Sequence, residues 1–128
     1  MWGRCLNAGQ TCIAADYVLC HHTVAEAFAA ACVEVLAEFF GSDGAKTEQN
    51  LSRIVAERHF DRLADMLKRV FIQLRQRFVS VISPPGSKGK VVAGGLDKSN
   101  RSTLIFAPTV VTGVQPGDSL LADEIFGE

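Results

Sequence analysis

Cys12 ends the run Asn7-Ala8-Gly9-Gln10-Thr11-Cys12 and is the residue best placed by its neighbours to act as a nucleophile. Gly9 admits backbone conformations that side chains exclude, so the chain can bend just before the sulfur and present it with little steric cover. Such a thiol reacts as the thiolate. A free cysteine titrates near ~8.5, so a nucleophilic one needs backbone N–H dipoles or a cation beside it, and Arg4 is the one cation nearby in sequence. On residue type alone, Cys12 would be a small apolar residue packed in a core.

Other chemistries find less support. His21, His22 and His59 supply imidazoles for a cysteine hydrolase, but no oxyanion-supporting motif of such enzymes accompanies them. The four cysteines, at 5, 12, 20 and 32, form no Cys-x-x-Cys pair and have no histidine at metal-ligand spacing, which argues against zinc and against a disulfide framework. Cys5, Cys20 and Cys32 read as small apolar residues. The run 86–90 has two glycines and two lysines without phosphate-loop spacing, and Val91 stands where the hydroxyl would be needed.

At 128 residues, with 48% hydrophobic and 21% charged residues, the chain is one domain at most and of ordinary globular balance. A net charge of -1 gives no reason to expect nucleic acid or an anionic membrane. No apolar run reaches the ~18 residues of a membrane span, and no signal-peptide core is present. The expected compartment is the reducing cytosol.

The elements that must position Cys12 follow from periodicity. Residues 16–20 read as a buried strand leaving the cysteine turn. Thr23 with Glu26 forms a capping box for a helix whose apolar stripe is Val24, Phe28, Ala31, Val35 and Phe39, broadened by Ala27, Cys32 and Leu36 and stopped at Gly41. Glu34 and Glu38 fall near solvent. A second amphipathic helix over 57–69 puts Phe60, Leu63, Ala64 and Leu67 on one face, with Arg58–Asp61 and Arg62–Asp65 as i,i+3 pairs. Residues 91–95 and 103–106 read as a hairpin, with Pro108 interrupting before Thr109. The fold class is α/β, with strands alternating with two amphipathic helices and then a hairpin.

Taken with its flanks, Trp2-Gly3-Arg4 and Ala14-Ala15-Asp16-Tyr17-Val18, the Gly-Gln-Thr-Cys run resembles the nucleophile segment of the aldehyde dehydrogenase superfamily, most closely its class 3 or fatty-aldehyde branch. That branch more usually carries proline at the position of Ala15. The resemblance resumes in Asp123-Glu124-Ile125-Phe126-Gly127, the second signature of the superfamily, with Glu128 where proline is usual. It implies NAD(P)-dependent oxidation of a small-molecule aldehyde to a carboxylic acid, through a thiohemiacetal and thioester on Cys12, with NAD or NADP as cofactor. Glu124 would accept from the nicotinamide ribose hydroxyls and Phe126 would pack beside the nicotinamide ring. The types suit these roles, since a carboxylate can accept from both members of a diol and an aromatic limits ring movement. Without its motif, Glu124 would read as a solvated charge. Full-length relatives are expected to be homo-oligomers.

The resemblance also implies that residues 1–128 are a partial catalytic domain. The NAD-binding half, the oxyanion asparagine and the glutamate that activates the deacylating water have no counterpart, so the isolated chain is expected to be inactive. The alternative is a truncated, noncatalytic fragment that packs against a partner. Residues 70–85 depart from the family pattern and belong to a stretch without acids between Asp65 and Asp97. No nucleic-acid module signature accompanies this basic strip. It reads either as a hairpin or strand inserted in a loop or as translated intron, since a valine codon opens with the GT that begins most introns.

Overall fold

The computed structural model describes residues 1–77, of which 73–77 as helical backbone, and 90–127. In chain order the elements are a short helix α1 (Trp2–Cys5), a 3-10 turn (Leu6–Gly9), α2 (His22–Phe40), a single turn α3 (Thr47–Asn50), α4 (Glu57–Arg77), strand β1 (Lys90–Ala93) and strand β2 (Val110–Thr112), with 3-10 turns at Leu96–Lys98 and Ser119–Leu121.

Helix α4 is the simplest to derive. Its single apolar stripe, Phe60, Leu63, Ala64 and Leu67, is buried as expected, and each large side chain contributes roughly 1.5–3 kcal/mol on leaving water. Phe60 meets Phe106 edge to face, with ring centroids 5.2 Å apart. The expected i,i+3 ion pairs do not form. Asp61 and Glu57 reach Arg101 at 2.7 and 2.9 Å, Asp65 binds Lys68 at 3.1 Å, and Arg62 turns towards the C-terminal segment. The helix continues beyond residue 69 to Arg77, so the first half of the 70–85 stretch is helical rather than a hairpin or strand. Val70 is fully buried while Phe71 and Ile72 are exposed. Val79 and Ile82 lie outside the described residues.

Helix α2 differs from expectation in its start and its buried face. Its cap is His21, whose Nδ1 accepts from the Thr23 amide at 3.4 Å and sits 2.8 Å from the Thr23 hydroxyl, so Thr23 lies inside the helix and no capping box forms. The buried face is Ala29, Cys32, Leu36 and Phe40, rotated by about one residue from the expected stripe. Val24 and Phe28 are exposed, as are Ala27 and Ala31. Glu34 and Glu38 do face solvent. Gly41 ends the helix with φ of 83°, its amide donating to Ala37.

No strand forms over 16–20. No backbone hydrogen bond ties residues 15–20 to another described segment, and a strand exists only by pairing. Tyr17, Val18 and Leu19 are exposed rather than buried. The hairpin is present, with a different partner. β1 pairs antiparallel with β2 in the register Lys90↔Thr112 and Val91↔Val111, with a bulge before Ala93↔Val110. Residues 103–106 instead turn back on themselves, joined by the Asn100↔Ile105 bridge, and sink Ile105 and Phe106 into the core. Leu36, Phe40, Leu51, Ile54, the α4 stripe, Ile105, Phe106 and Ala8 make one continuous core.

Candidate active site

The cysteine loop is built on a left-handed turn. Asn7, Ala8 and Gly9 have φ of 54°, 52° and 68° in succession. Asparagine tolerates this region and glycine favours it, but an alanine there costs roughly 1 kcal/mol or more. Burial of Ala8 in the main core holds it in place. Gln10 fixes the far side of the turn. Its Nε2 donates to the carbonyls of Asn7 and Arg53 at 3.1 and 3.0 Å, and its Oε1 accepts from the Val55 amide at 2.9 Å. Thr11 and Ala14 close a further turn, carbonyl to amide at 2.9 Å, and Cys12 sits within it with an exposed side chain. No hydrogen bond among the described residues uses the Cys12 amide.

The C-terminal motif lies against this loop. A Cβ on Gly9 would stand 2.8 Å from the Gly127 carbonyl oxygen, and a Cβ on Gly127 would stand 2.4 Å from Leu63 Cδ1. The two glycines therefore let the cysteine turn meet the terminal motif backbone to backbone, and let that motif rest on the Leu63 side chain of α4. Four polar contacts grip the motif. Arg4 donates from one guanidinium nitrogen to Asp16 and from the other to the Gly127 carbonyl. Asp16 accepts from the Ile125 amide at 3.1 Å through its second oxygen. Arg62 donates from one guanidinium nitrogen to the carbonyls of Ile125 and Phe126. Phe126 takes φ of 47° and keeps 38% of its surface exposed, and Glu124 is exposed with no hydrogen-bond partner among the described residues.

The structure thus brings the segments of Cys12, Glu124 and Phe126 together, although no hydrogen bond or ion pair joins Cys12 to the other two among the described residues. Arg4, the cation nearest Cys12 in sequence, has its donors on Asp16 and Gly127 instead. Gln10, Asp16 and Arg62 support the two segments. Their contacts reach backbone 43 to 109 positions away, and such contacts leave no local pattern. Among the described residues no group of three His, Cys, Asp or Glu side chains could hold a metal ion. Two concave regions lie elsewhere, one of about 330 Å³ between the end of α2 and β1 and one of about 280 Å³ beside Trp2 and Phe39.

An exposed cysteine follows a left-handed turn that packs through Gly9 against Gly127 of the Glu-Ile-Phe-Gly segment, within a mixed helix and strand fold. Residues 1–128 match the profile described as the aldehyde dehydrogenase family, and the chain belongs to that family. It is 37% identical over 124 residues to aldehyde dehydrogenase family 3 member B1 of Bos taurus, a match covering 97% of this chain and 22% of that protein. It is 32% identical over 126 residues to the protein of Bos taurus named aldehyde dehydrogenase, dimeric NADP-preferring, covering 98% of this chain and 44% of that one. A structure described as the substrate bound state of Staphylococcus aureus AldH superimposes with a TM-score of 0.78 at 28% identity, covering 98% of this chain and 23% of that one. The chain is therefore a partial domain of the aldehyde dehydrogenase fold and spans about a fifth of the length of the first of these relatives. No helix among the described residues is long and apolar enough to cross a membrane.

Proposed function

We propose that residues 1–128 carry the nucleophile and the nicotinamide-facing motif of an NAD(P)-dependent aldehyde oxidation, within a domain where 70–85 is an insertion. The observation that carries this reading is the juxtaposition of the cysteine turn and the Glu124–Phe126 segment through Gly9, Gly127, Arg4 and Asp16.

Cys12, as thiolate, attacks the aldehyde carbon to form a thiohemiacetal, and the uncommitted Cys12 amide is available to the oxyanion. Glu124 accepts from the ribose hydroxyls and Phe126 limits movement of the ring. When bound, NAD or NADP supplies the hydride acceptor that makes the step an oxidation. Cys12 then holds the acyl group as a thioester, whose hydrolysis returns the thiol and releases the acid. A small-molecule aldehyde is the substrate, the cytosol the compartment and a homo-oligomer the working state. One relative named above is described as dimeric and NADP-preferring, which supports the cofactor class and the assembly.

The second reading is a noncatalytic piece that packs against a partner, favoured by the exposed apolar side chains of Tyr17, Val18, Leu19, Val24 and Phe28. Sequencing the transcript through the codons for 1–128 and assaying its complete product separates the two. Aldehyde-dependent formation of NADH or NADPH that vanishes in Cys12→Ser supports the enzyme. A complete product without that activity supports the packing role. The same read across codons 69–87 tests the insertion, since a message spliced without them identifies translated intron.

A further inference from the structure

We propose that Arg4 and Asp16 are positioning residues that make the cysteine turn and the Glu124–Phe126 segment move as one unit, so that the thiol and the cofactor-facing side chains are set together. This rests on the reading of the site given above. Arg4 and Asp16 touch no group assigned a chemical role, yet between them they hold both sides of the site. The guanidinium is planar, with donors in a fixed fork. One arm takes Asp16, four residues beyond Cys12, and the other takes the Gly127 carbonyl, directly after Phe126. Asp16 closes the ring by accepting from Ile125, directly before Phe126.

The side chains of Arg4 and Asp16 are 15% and 19% exposed, so the pair is shielded from solvent and the loss of either partner strands the other. Gly9 packed on the Gly127 carbonyl leaves no slack between the two segments. Arg62 differs in kind. It grips the Ile125 and Phe126 carbonyls from α4 and makes no hydrogen bond to the cysteine turn among the described residues. Removing Arg62 therefore loosens one segment, whereas removing Arg4 loosens both.

The test uses the folded 128-residue chain and needs no catalysis. Native-state amide exchange of the unmodified chain should show the hydrogen-bonded amides of Gln10 and Ala14, and that of Ile125, opening with one shared free energy and one shared denaturant dependence. In Arg4→Met and Asp16→Asn both sets should exchange faster, by about threefold or more, the lower end expected for residues coupled in one network. In Arg62→Met only the Ile125 amide should do so. Iodoacetamide labelling supplies the second readout. Arg4→Met should change the Cys12 rate relative to the exposed Cys20, and Arg4→Lys should restore part of it. A merely structural loss would instead raise labelling of the buried Cys32 as well.

Independent opening of the two segments in the unmodified chain would overturn the proposal whether or not any variant folds. So would an Arg4→Met chain in which one segment loosens and the other does not. If coupled opening is seen but Cys12 proves no more reactive than Cys20, the positioning stands and the thiol assignment falls.

Discussion

Gly9 and Gly127 touch backbone to backbone, with the space that a Cβ on Gly9 would need already filled by the Gly127 carbonyl oxygen 2.8 Å away. Gly9 also has φ of 68°, where a side chain is strained regardless of space. The obstacle is main chain, so no rotamer change relieves it. Gly9→Ala should destabilise the chain by about 1 to 3 kcal/mol, as overpacking and a left-handed alanine do. The urea unfolding midpoint checks this, and an unchanged midpoint would refute the close approach.

Gln10→Ala removes the acceptor of the Val55 amide and the donor to the Arg53 carbonyl. These groups are exposed and water partly replaces the lost partners, so the cost should be about 1 kcal/mol. The local effect should exceed the global one. Limited proteolysis within residues 7–14 is expected to accelerate more than the shift in unfolding midpoint implies. Equal changes in both would contradict the role of Gln10 as the brace of the cysteine turn.

Arg101 holds the Asp61 carboxyl below its ordinary value of 3.8, chiefly by hydrogen bonding, with its charge and that of Lys68 adding. A carboxyl lowered in the folded state stabilises above its unfolded pKa, and that contribution fades as pH falls through the folded value. Acid titration of the unfolding midpoint from about pH 5 downwards should therefore show a steeper loss in the natural chain than in Arg101→Met. The pair is solvent-exposed, so 1 M salt should bring the two curves together. Parallel curves at low salt would show that the pair contributes nothing.

Cys12 and Cys20 are both exposed, Cys5 is half-buried and Cys32 is buried. Exposure alone predicts equal labelling of the first two. The nucleophile assignment predicts that Cys12 alkylates ahead of Cys20. Peptide mapping after brief treatment with iodoacetamide reads the order, and labelling of Cys20 ahead of Cys12 would remove the nucleophile assignment.

The α4 stripe was legible because Phe60, Leu63, Ala64 and Leu67 occupy one arc and charges occupy the rest. Helix α2 was half legible. Its stop is marked by Gly41, but apolar side chains surround much of it, and periodicity cannot choose between the arc of Val24 and Phe28 and the arc of Cys32 and Leu36. His21 took the cap because its ring reaches the Thr23 amide, a contact that no box of Thr and Glu encodes. The pairing of β1 was misread because Ile105 and Phe106 look more strand-like than Val110 and Val111, while burial, not pairing, is what their bulk serves. The residues that hold the site, Arg4, Asp16 and Arg62, act on main-chain atoms far along the chain. Their type announces charge and nothing about the target.

Residues 15–20 leave a row of amides and carbonyls without a backbone hydrogen bond among the described residues, and Tyr17, Val18 and Leu19 are exposed, Leu19 to 91%. Chains with such a row recruit one another, because each arrival satisfies one set of backbone groups and offers a fresh set. The shelf life of the purified chain is then set by concentration and time more than by temperature. Dilute samples should stay clear, while concentrated ones should turn turbid after a lag that shortens on seeding. Val18→Lys should lengthen that lag by placing a charge in the row.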